Sequence, residues 1–380
     1  MARDEPFEIL VEQSVLDRIR DRVERYPWDN LQDAGEWNAG ISVGDMRRIV
    51  THWLEKYDWR AVEARLNHLP NRQADVGGRL HFLHLTGSTD RPLILTHGWP
   101  SSFLEYVPLL EPLAFPERFG GNPKDGFSVI IPSLPGYAFS GKPRKPIGPR
   151  ETGRMFHRLM TETLGYSNYI AHGGDWGSLV STWMAHDNPR ACSGLHLTMV
   201  SLQTADAQPE TDEELTSAAE RREVTAREGG YAHLQSTRPQ TLSYAMNDSP
   251  AGVAAWIIEK FGLWSDLPQS SGIPDVFSRY SEDELLTNVM LYLVTNSFAT
   301  STWMYKGRVD EGSLFLPSAS PIVVPTGVAV FRDPILPPMP RTQAAKSYSI
   351  KRWTEMPRGG HFAAIEQPDL LIADIRAFTR

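Results

Sequence analysis

The spacing of hydrophobic residues divides the chain into segments of different character. Near the N-terminus the apolar residues recur at helical spacing: Phe7, Leu10, Val11, Val15, Leu16 and Ile19. This periodicity predicts a helix within residues 7–25, and segments 45–57 and 60–68 predict two more. Residues 76–85 are strand-like, with Gly77 and Gly78 as turn residues. We therefore expect residues 1–90 to form a mainly helical N-terminal segment that packs on the rest of the protein.

From residue 92 onward, short apolar segments alternate with amphipathic ones. The apolar segments predict strands at residues 93–96, 127–132, 169–172 and 194–198. The segments between them predict helices at residues 103–113, 150–164 and 176–186. Alternation of strands and helices is typical of an α/β fold with a mostly parallel, doubly wound sheet.

The alternation stops between residues 201 and 307, where only helices are predicted, at 210–227, 250–264 and 282–295. It resumes with strands at 322–331 and 348–353 and a terminal helix at 367–378. This order predicts a core in two halves, residues 91–200 and 308–380. The helical insertion, residues 201–307, is expected to cover the sheet edge at which open α/β sheets bind their ligands.

Composition excludes several classes of protein. The 380 residues include one cysteine, Cys192, which excludes a disulfide framework and a thiolate zinc site. The formal net charge of −8, without a basic stripe, argues against a nucleic-acid partner. No apolar run approaches the roughly 20 residues of a membrane span, and the first residues do not resemble a signal peptide. We therefore expect a cytoplasmic protein without a membrane partner, and a homodimer is compatible with the sequence.

The strongest local motif is Gly173-Gly174-Asp175-Trp176-Gly177, between a predicted strand and a predicted helix. Glycine lies two residues before and two residues after Asp175, which is the spacing of the nucleophile elbow of α/β-hydrolases with aspartate in place of serine. The alternative is that Asp175 only caps the helix. A carboxylate nucleophile suits attack at saturated carbon, and the resulting alkyl ester must then be hydrolysed.

Hydrolysis of such an ester needs a base and an oxyanion hole, and the sequence offers candidates for both. His361 follows paired glycines between the last predicted strand and the last predicted helix, which matches the order of an α/β-hydrolase triad. The backbone N–H of Trp176 is one expected oxyanion donor. The second is the N–H of Trp99, in the loop after the first core strand.

With these residues the sequence resembles the microsomal-type epoxide hydrolases of the α/β-hydrolase superfamily over nearly the whole chain. The most specific motifs are the elbow around Asp175 and the stretch around His361. The supporting motifs are Trp28-Asp29-Asn30, His97-Gly98-Trp99-Pro100, Pro132-Ser133-Leu134-Pro135-Gly136-Tyr137, Asn247-Asp248-Ser249-Pro250, Glu259-Lys260-Phe261, Leu286-Thr287-Asn288-Val289-Met290 and Pro325-Thr326-Gly327.

The resemblance implies conversion of an epoxide to a vicinal diol, with no metal and no organic cofactor. It implies that Asp175 is the nucleophile, His361 the base, and Tyr305 a lid tyrosine that hydrogen-bonds the epoxide oxygen. Membrane-bound members begin with a hydrophobic anchor, so we expect this chain to be a soluble form. Roles in detoxification and in natural-product biosynthesis both remain open.

Two departures from the family pattern concern the acid and the second lid tyrosine. The acid that orients the histidine is expected at Asp333. This residue lies one position before the one that carries the acid in the family pattern, where this sequence has Pro334. For the second tyrosine, this sequence has Trp256, whose indole N–H donates a hydrogen bond but is no proton donor to an alkoxide. Alternatively, Tyr231 or Tyr244 takes the role of the second lid tyrosine.

Aromatic residues of the insertion are expected to line a pocket for a bulky or aryl epoxide: Trp256, Phe261, Trp264, Phe298 and Trp303. The same aspartate chemistry also serves a haloalkane dehalogenase, which needs N–H donors to bind halide, and Trp176 lies where one such donor would be. A non-catalytic ligand-binding protein on this fold is a further alternative. A serine esterase is disfavoured because Ser178 lies three residues beyond the elbow position.

Overall fold

The structure is a computed structural model that describes residues 4–35, 37–270 and 272–380. Within these residues, nine strands form one sheet in the order β1-β2-β3-β5-β4-β6-β7-β10-β11, and β8 and β9 form a small hairpin. The strands are β1 (Glu5–Pro6), β2 (Asn71–Asp75), β3 (Arg79–Leu85), β4 (Pro92–Thr96), β5 (Ser128–Pro132), β6 (Tyr169–Gly173), β7 (Cys192–Leu197), β8 (Gln269–Ser270), β9 (Ile273–Pro274), β10 (Ile322–Val330) and β11 (Tyr348–Glu355).

The half of the sheet that carries the candidate site is parallel. Strands β5, β4, β6, β7, β10 and β11 pair in parallel, whereas β1, β2 and β3 pair antiparallel at the other edge. All residues of β4 and β5 are buried, as expected for central strands covered on both faces. The predicted α/β class with a mostly parallel sheet is confirmed.

Helices lie on both faces of the sheet and in the insertion between β7 and β10. They are α1 (Gln13–Glu24), α2 (Val43–Glu55), α3 (Trp59–Asn67), α4 (Val107–Ala114), α5 (Pro149–Arg158), α6 (Asp175–Asp187), α7 (Asp212–Glu228), α8 (Gly230–Thr237), α9 (Pro239–Asp248), α10 (Pro250–Trp264), α11 (Glu282–Val294), α12 (Phe298–Ser301), α13 (Trp303–Asp310), α14 (Arg341–Ala345), α15 (Ala363–Glu366) and α16 (Pro368–Phe378). Central helix α6 is buried over most of its length, which explains its apolar sequence.

The N-terminal segment differs from the helix predicted for residues 7–25, because α1 begins only at Gln13. The residues before it are extended and bonded to α3. The backbone of Ile9 exchanges two hydrogen bonds with the Asn67 side chain, at 2.7 and 2.8 Å. The Val11 N–H donates to Glu63 Oε1 at 2.7 Å. These tertiary hydrogen bonds pair backbone N–H and C=O groups that would otherwise pair within a longer helix.

The predicted strand at 76–85 is the second arm of a hairpin. Strand β2 ends at Asp75, whose carboxylate accepts hydrogen bonds from the N–H groups of Gly77 and Gly78, both at 3.0 Å. The glycines therefore form a turn between β2 and β3.

Insertion helices pack on one another and on the N-terminal segment. Helix α8 packs against α13, and α10 against α11. Helices α1 and α2 pack on α10 and α11. The Arg48–Glu282 ion pair and the His52–Asp283 hydrogen bond, each at 2.7 Å, join α2 to the start of α11. Within the described residues, no helix is both long and apolar enough to cross a membrane.

Candidate active site

Asp175 stands on a sharp turn between β6 and α6. Its backbone has a φ of 43°, in the left-handed region that non-glycine residues rarely adopt. The neighbouring glycines make the turn possible. A Cβ on Gly173 would lie 2.2 Å from the backbone of Gly177, and one on Gly177 would lie 1.7 Å from the carbonyl oxygen of Thr96. This close packing places the Asp175 carboxylate above the carboxyl ends of the parallel strands.

The alternative that Asp175 only caps α6 does not fit this geometry. Gly174 occupies the N-cap position, and Asp175 is the first helical residue. Its Oδ1 accepts a hydrogen bond at 2.8 Å from the N–H of Trp99, which belongs to the loop after β4.

The loop after β4 approaches the carboxylate closely because Gly98 has no side chain. A Cβ at Gly98 would lie 2.3 Å from the Cβ of Asp175. The Trp99–Pro100 peptide bond is cis. Buried His97 supports the loop, since its ring nitrogens contact the carbonyl oxygen of Gly98 at 2.9 Å and the N–H of Leu134 at 3.1 Å. Burial lowers the pKa of His97 to about 4, so its ring is neutral at neutral pH.

Helix α11 of the insertion holds the same loop through two hydrogen bonds. Asn288 Nδ2 donates to the carbonyl oxygen of Pro100 at 2.8 Å, and the Tyr292 hydroxyl donates to that of Ser101 at 2.6 Å. The motif around Asn288 therefore holds the Trp99 N–H in place. The Trp176 N–H lies in the first turn of α6, where backbone donors have no partner inside the helix.

His361 lies between two carboxylates. Its Nδ1 is 2.8 Å from Asp333 Oδ2, and its Nε2 is 3.4 Å from Asp175 Oδ2. Burial lowers the pKa of His361, but the negative charges of Asp333 and Asp175 outweigh it and raise this pKa well above its ordinary value. The two neighbouring carboxylates therefore favour the protonated form of the ring.

Asp333 reaches the histidine in spite of the proline that follows it. Its Oδ1 accepts hydrogen bonds from the N–H groups of Ile335 at 3.0 Å and Leu336 at 3.3 Å. This is an Asx turn, which accommodates Pro334 and leaves Oδ2 to face His361.

The loop that carries His361 is held by Glu366, which sequence reasoning missed, and by Trp264, which it placed in the pocket wall. Glu366 accepts hydrogen bonds at 2.9 Å from the N–H groups of Gly360 and Phe362, on either side of the histidine. The N–H of His361 itself donates to the carbonyl oxygen of Trp264 at 2.9 Å. The Trp264 ring lies edge-to-face against the imidazole, with centroids 5.0 Å apart.

Two tyrosines of the insertion face the carboxylate. Tyr305, on α13, packs edge-on against the Trp176 ring with centroids 4.6 Å apart. Tyr231, on α8, stacks on the Trp99 ring at 5.3 Å and contacts the Tyr305 ring at 5.9 Å. Burial raises the pKa of both phenols, so both carry their protons at neutral pH.

These groups line one cavity of about 250 Å³. Asp175, Trp176 and His361 form its floor on the core, and Tyr231 and Tyr305 lie on the insertion. The rest of its wall is mainly apolar and includes Leu179, Met199, Ala232, Val309, Leu314, Ile335 and Leu336.

Comparison with known proteins identifies the family to which the chain belongs. A family model described as "Epoxide hydrolase N terminus" matches residues 4–106, and the "alpha/beta hydrolase fold" model matches residues 91–368. Epoxide hydrolase 1 of Sus scrofa is 33% identical over 98% of this chain and 88% of its own length. The chain belongs to the epoxide hydrolase family.

Other relatives agree with the family assignment. A Stigmatella aurantiaca protein to which epoxide hydrolase activity has been ascribed is 39% identical over 98% of this chain and 83% of its own. The epoxide hydrolase structure of Aspergillus niger covers 99% of this chain and 95% of its own, with 29% identity and a TM-score of 0.83. The juvenile hormone epoxide hydrolase structure of Bombyx mori covers 100% of this chain and 94% of its own, with 27% identity and a TM-score of 0.87.

For this epoxide hydrolase, the structure separates the candidate lid residues. Tyr231 and Tyr305 line the cavity, whereas Trp256 does not: its indole N–H donates to Gln235 Oε1 at 3.2 Å. Tyr244 is on the surface, with 76% of its side chain exposed, because it lies on the outer face of α9.

Phe298 and Trp303, expected in the pocket wall, also lie outside the cavity. Phe298 is buried beside a separate cleft between α1 and the α9–α10 junction. Trp303 begins α13 and is half-buried, but it is not among the residues that line the cavity. Sequence reasoning missed Ser201 and Arg308, which do line it. Arg308 follows Tyr305 by three residues, a helical spacing that would have indicated a shared face.

Proposed function

We propose that the protein hydrolyses an epoxide to a vicinal diol through an ester on Asp175. The observation that carries this proposal is the position of the Asp175 carboxylate. One of its oxygens accepts the Trp99 N–H, the other faces His361, and two protonated phenols line the same cavity. This arrangement supplies a nucleophile, a base and an acid.

In the first step, Asp175 Oδ2 attacks an epoxide carbon, and the carbon–oxygen bond of the ring breaks. Oδ1 already holds the Trp99 N–H and becomes the carbonyl oxygen of the ester. Tyr231 or Tyr305 donates its proton to the leaving alkoxide, which becomes the first hydroxyl of the diol. A phenol hydrogen-bonded to the oxygen stabilises the charge as it develops.

In the second step, His361 removes a proton from water, and the hydroxide adds to the ester carbon. Alkylation of Asp175 removes one of the charges that raise the pKa of His361, so the imidazolium first releases its proton to solvent and takes one up again when the free Asp175 carboxylate re-forms. The charge on Oδ1 is received by the N–H groups of Trp99 and Trp176. The tetrahedral intermediate collapses, and His361 returns the proton to the departing alkoxide.

Asp333 orients this imidazole and stabilises its protonated form through the 2.8 Å contact at Nδ1. The new carboxyl group keeps the other proton of water and returns it to the tyrosinate. The reaction therefore consumes one epoxide and one water and leaves the protein unchanged. A cavity of this volume with a largely apolar wall suits an aryl or similarly bulky epoxide.

The test is a single turnover of styrene oxide in water enriched with heavy oxygen, with enzyme in excess. The first diol should contain no label, because its new oxygen comes from Asp175, and the label should appear in the protein. Label in the first diol would contradict the ester. Release of halide from haloalkanes without any diol from epoxides would favour dehalogenation, and binding without turnover would favour a ligand-binding protein.

A further inference from the structure

The cavity contains hydrogen-bond donors that the proposed reaction does not use. Arg308, on α13, and Ser201, in the segment after β7, line it together with Asp175. Arg308 Nε and Ser201 Oγ are buried, and neither has a hydrogen-bond acceptor in the part of the chain that the structure describes. Buried donors are nearly always satisfied in folded proteins, so two of them in one cavity indicate a ligand that brings the acceptors.

Arg308 also lacks a partner for its charge. Its guanidinium donates one hydrogen bond, from Nη2 to the carbonyl oxygen of Leu314 at 3.2 Å, and that acceptor is neutral. Among residues 4–35, 37–270 and 272–380, no carboxylate forms an ion pair with it, whereas Arg150 binds Asp187 through two nitrogens at 2.8 and 2.9 Å. Burial lowers the pKa of Arg308, and the charge of Asp175 offsets part of this effect.

The position of Arg308 relative to the reacting groups is set by α13. Tyr305 and Arg308 are three residues apart and share a helix face. Because an α-helix rises about 1.5 Å per residue, Arg308 lies roughly 4.5 Å further along the axis. A substrate whose epoxide oxygen contacts Tyr305 can therefore reach the guanidinium with another part of its structure.

We propose that the substrate is an epoxide that also carries a carboxylate, bound by Arg308 with Ser201 as a second donor. This inference rests on the proposed function and names the substrate class of the same site. A guanidinium presents several N–H groups in one plane, and that geometry matches the two oxygens of a carboxylate. A neutral ester would accept a hydrogen bond but would leave the charge of Arg308 uncompensated.

The first experiment compares kcat/KM for 4-(oxiran-2-yl)benzoate and for its methyl ester. The wild-type protein should prefer the carboxylate by at least about tenfold, because hydrogen bonds between charged groups are roughly twice as strong as neutral ones. Arg308→Gln should reduce this ratio to near one, and Arg308→Lys, which keeps the charge, should retain part of it. A wild-type ratio near one, or a preference that survives Arg308→Gln, overturns the proposal.

Lys306→Gln is the matched control. Lys306 is on the same helix and carries the same charge, but it pairs with Asp310 and does not line the cavity. This variant should keep the preference for the carboxylate. Loss of the preference in Lys306→Gln as well would show a general effect of charge on the helix and would also overturn the proposal.

A binding measurement separates this inference from the proposed reaction. The Asp175→Asn protein is titrated with 4-ethylbenzoate, a carboxylate that cannot be hydrolysed, by calorimetry. Adding Arg308→Gln should weaken binding by about tenfold. That result supports the carboxylate site even if no epoxide is turned over, whereas equal affinity in the two proteins overturns it.

Discussion

The core and the insertion hold their candidate catalytic groups in different ways. In the core, Asp175 and Asp333 are each positioned by a short turn whose residues are neighbours in sequence, and Trp99 lies in a short loop that α11 also holds. In the insertion, Tyr231 and Tyr305 lie on two different helices and meet only because α8 packs against α13. Turn geometry is local and rigid, whereas helix packing depends on many distant contacts.

The difference has a functional meaning. In the proposed reaction, the core groups form and hydrolyse the ester, and that reaction cannot proceed without them. Tyr231, Tyr305 and Arg308 line the same cavity. In our proposals, the tyrosines bind the epoxide oxygen and Arg308 binds the remainder of the substrate. We therefore expect substitutions in the core to affect the chemical steps most strongly, and substitutions in the insertion to act more weakly and to alter specificity.

The largest effect is expected for Asp175→Ala. Without the nucleophile, diol formation from styrene oxide should fall by a factor on the order of 10⁴ or more. Product formation followed by chromatography measures it. Ser178→Ala is the control and should retain activity, since the Ser178 hydroxyl only donates to the carbonyl oxygen of Asp175. Loss of activity in Ser178→Ala alone would point to a serine nucleophile.

Asp333→Asn should reduce turnover by roughly 10²- to 10⁴-fold, because the imidazole loses the charge that stabilises its protonated form. Ester formation should be affected less than ester hydrolysis. Rapid-quench measurements should therefore show a burst of alkylated protein, detected by mass spectrometry as an adduct on Asp175. A slow first step without any adduct would argue that Asp333 is not the orienting acid.

The pH dependence of stability provides a test within the core. Glu105 is buried beside Ser101, and burial raises its pKa to about 7 despite the hydrogen bond from that serine. The pKa of Glu105 is higher in the folded state than in the unfolded chain. Its contribution to the free energy of unfolding is therefore complete below about pH 4.5 and is lost as the pH rises through 7. The loss corresponds to roughly 3 kcal/mol of unfolding free energy.

Glu105→Gln resembles the protonated acid and should escape this loss. Relative to the wild type, the variant should gain stability between pH 5 and pH 8, measured by urea unfolding at each pH. Glu111→Gln, at an exposed position on α4, should show no such trend. Parallel pH profiles for wild type and Glu105→Gln would contradict the assignment.

The smallest effect is expected in the insertion. Tyr231→Phe should lower kcat/KM for styrene oxide by about tenfold, because Tyr305 remains as a proton donor. The rate of ester formation in single-turnover experiments should fall by the same factor. Trp256→Phe is the control, and it should change that rate by less than about twofold because Trp256 lies outside the cavity. A larger effect of Trp256→Phe than of Tyr231→Phe would contradict the placement of Tyr231, rather than Trp256, in the cavity.

Much of the core site was predictable because its signals are short-range. The glycine spacing around Asp175 indicates a turn that only small neighbours permit, and Gly98 marks the close approach of a second loop. Asp333 was expected one residue away from the family position, and its Asx turn explains how it reaches His361. The choice between Tyr231, Tyr244 and Trp256 was not predictable, since all three lie in helical segments of similar character.

The sequence by itself determined the α/β class, the parallel sheet, the family and the positions of the turns, because each depends on residue type at short spacing. Only the tertiary structure decided which insertion side chains face Asp175. It also decided that residues before Gln13 are extended, since their backbone bonds to α3. Arg308 became a candidate binding residue only when its buried Nε, without a hydrogen-bond acceptor among the described residues, was visible. Helix orientation and burial arise from contacts between segments distant along the chain, and periodicity does not encode them.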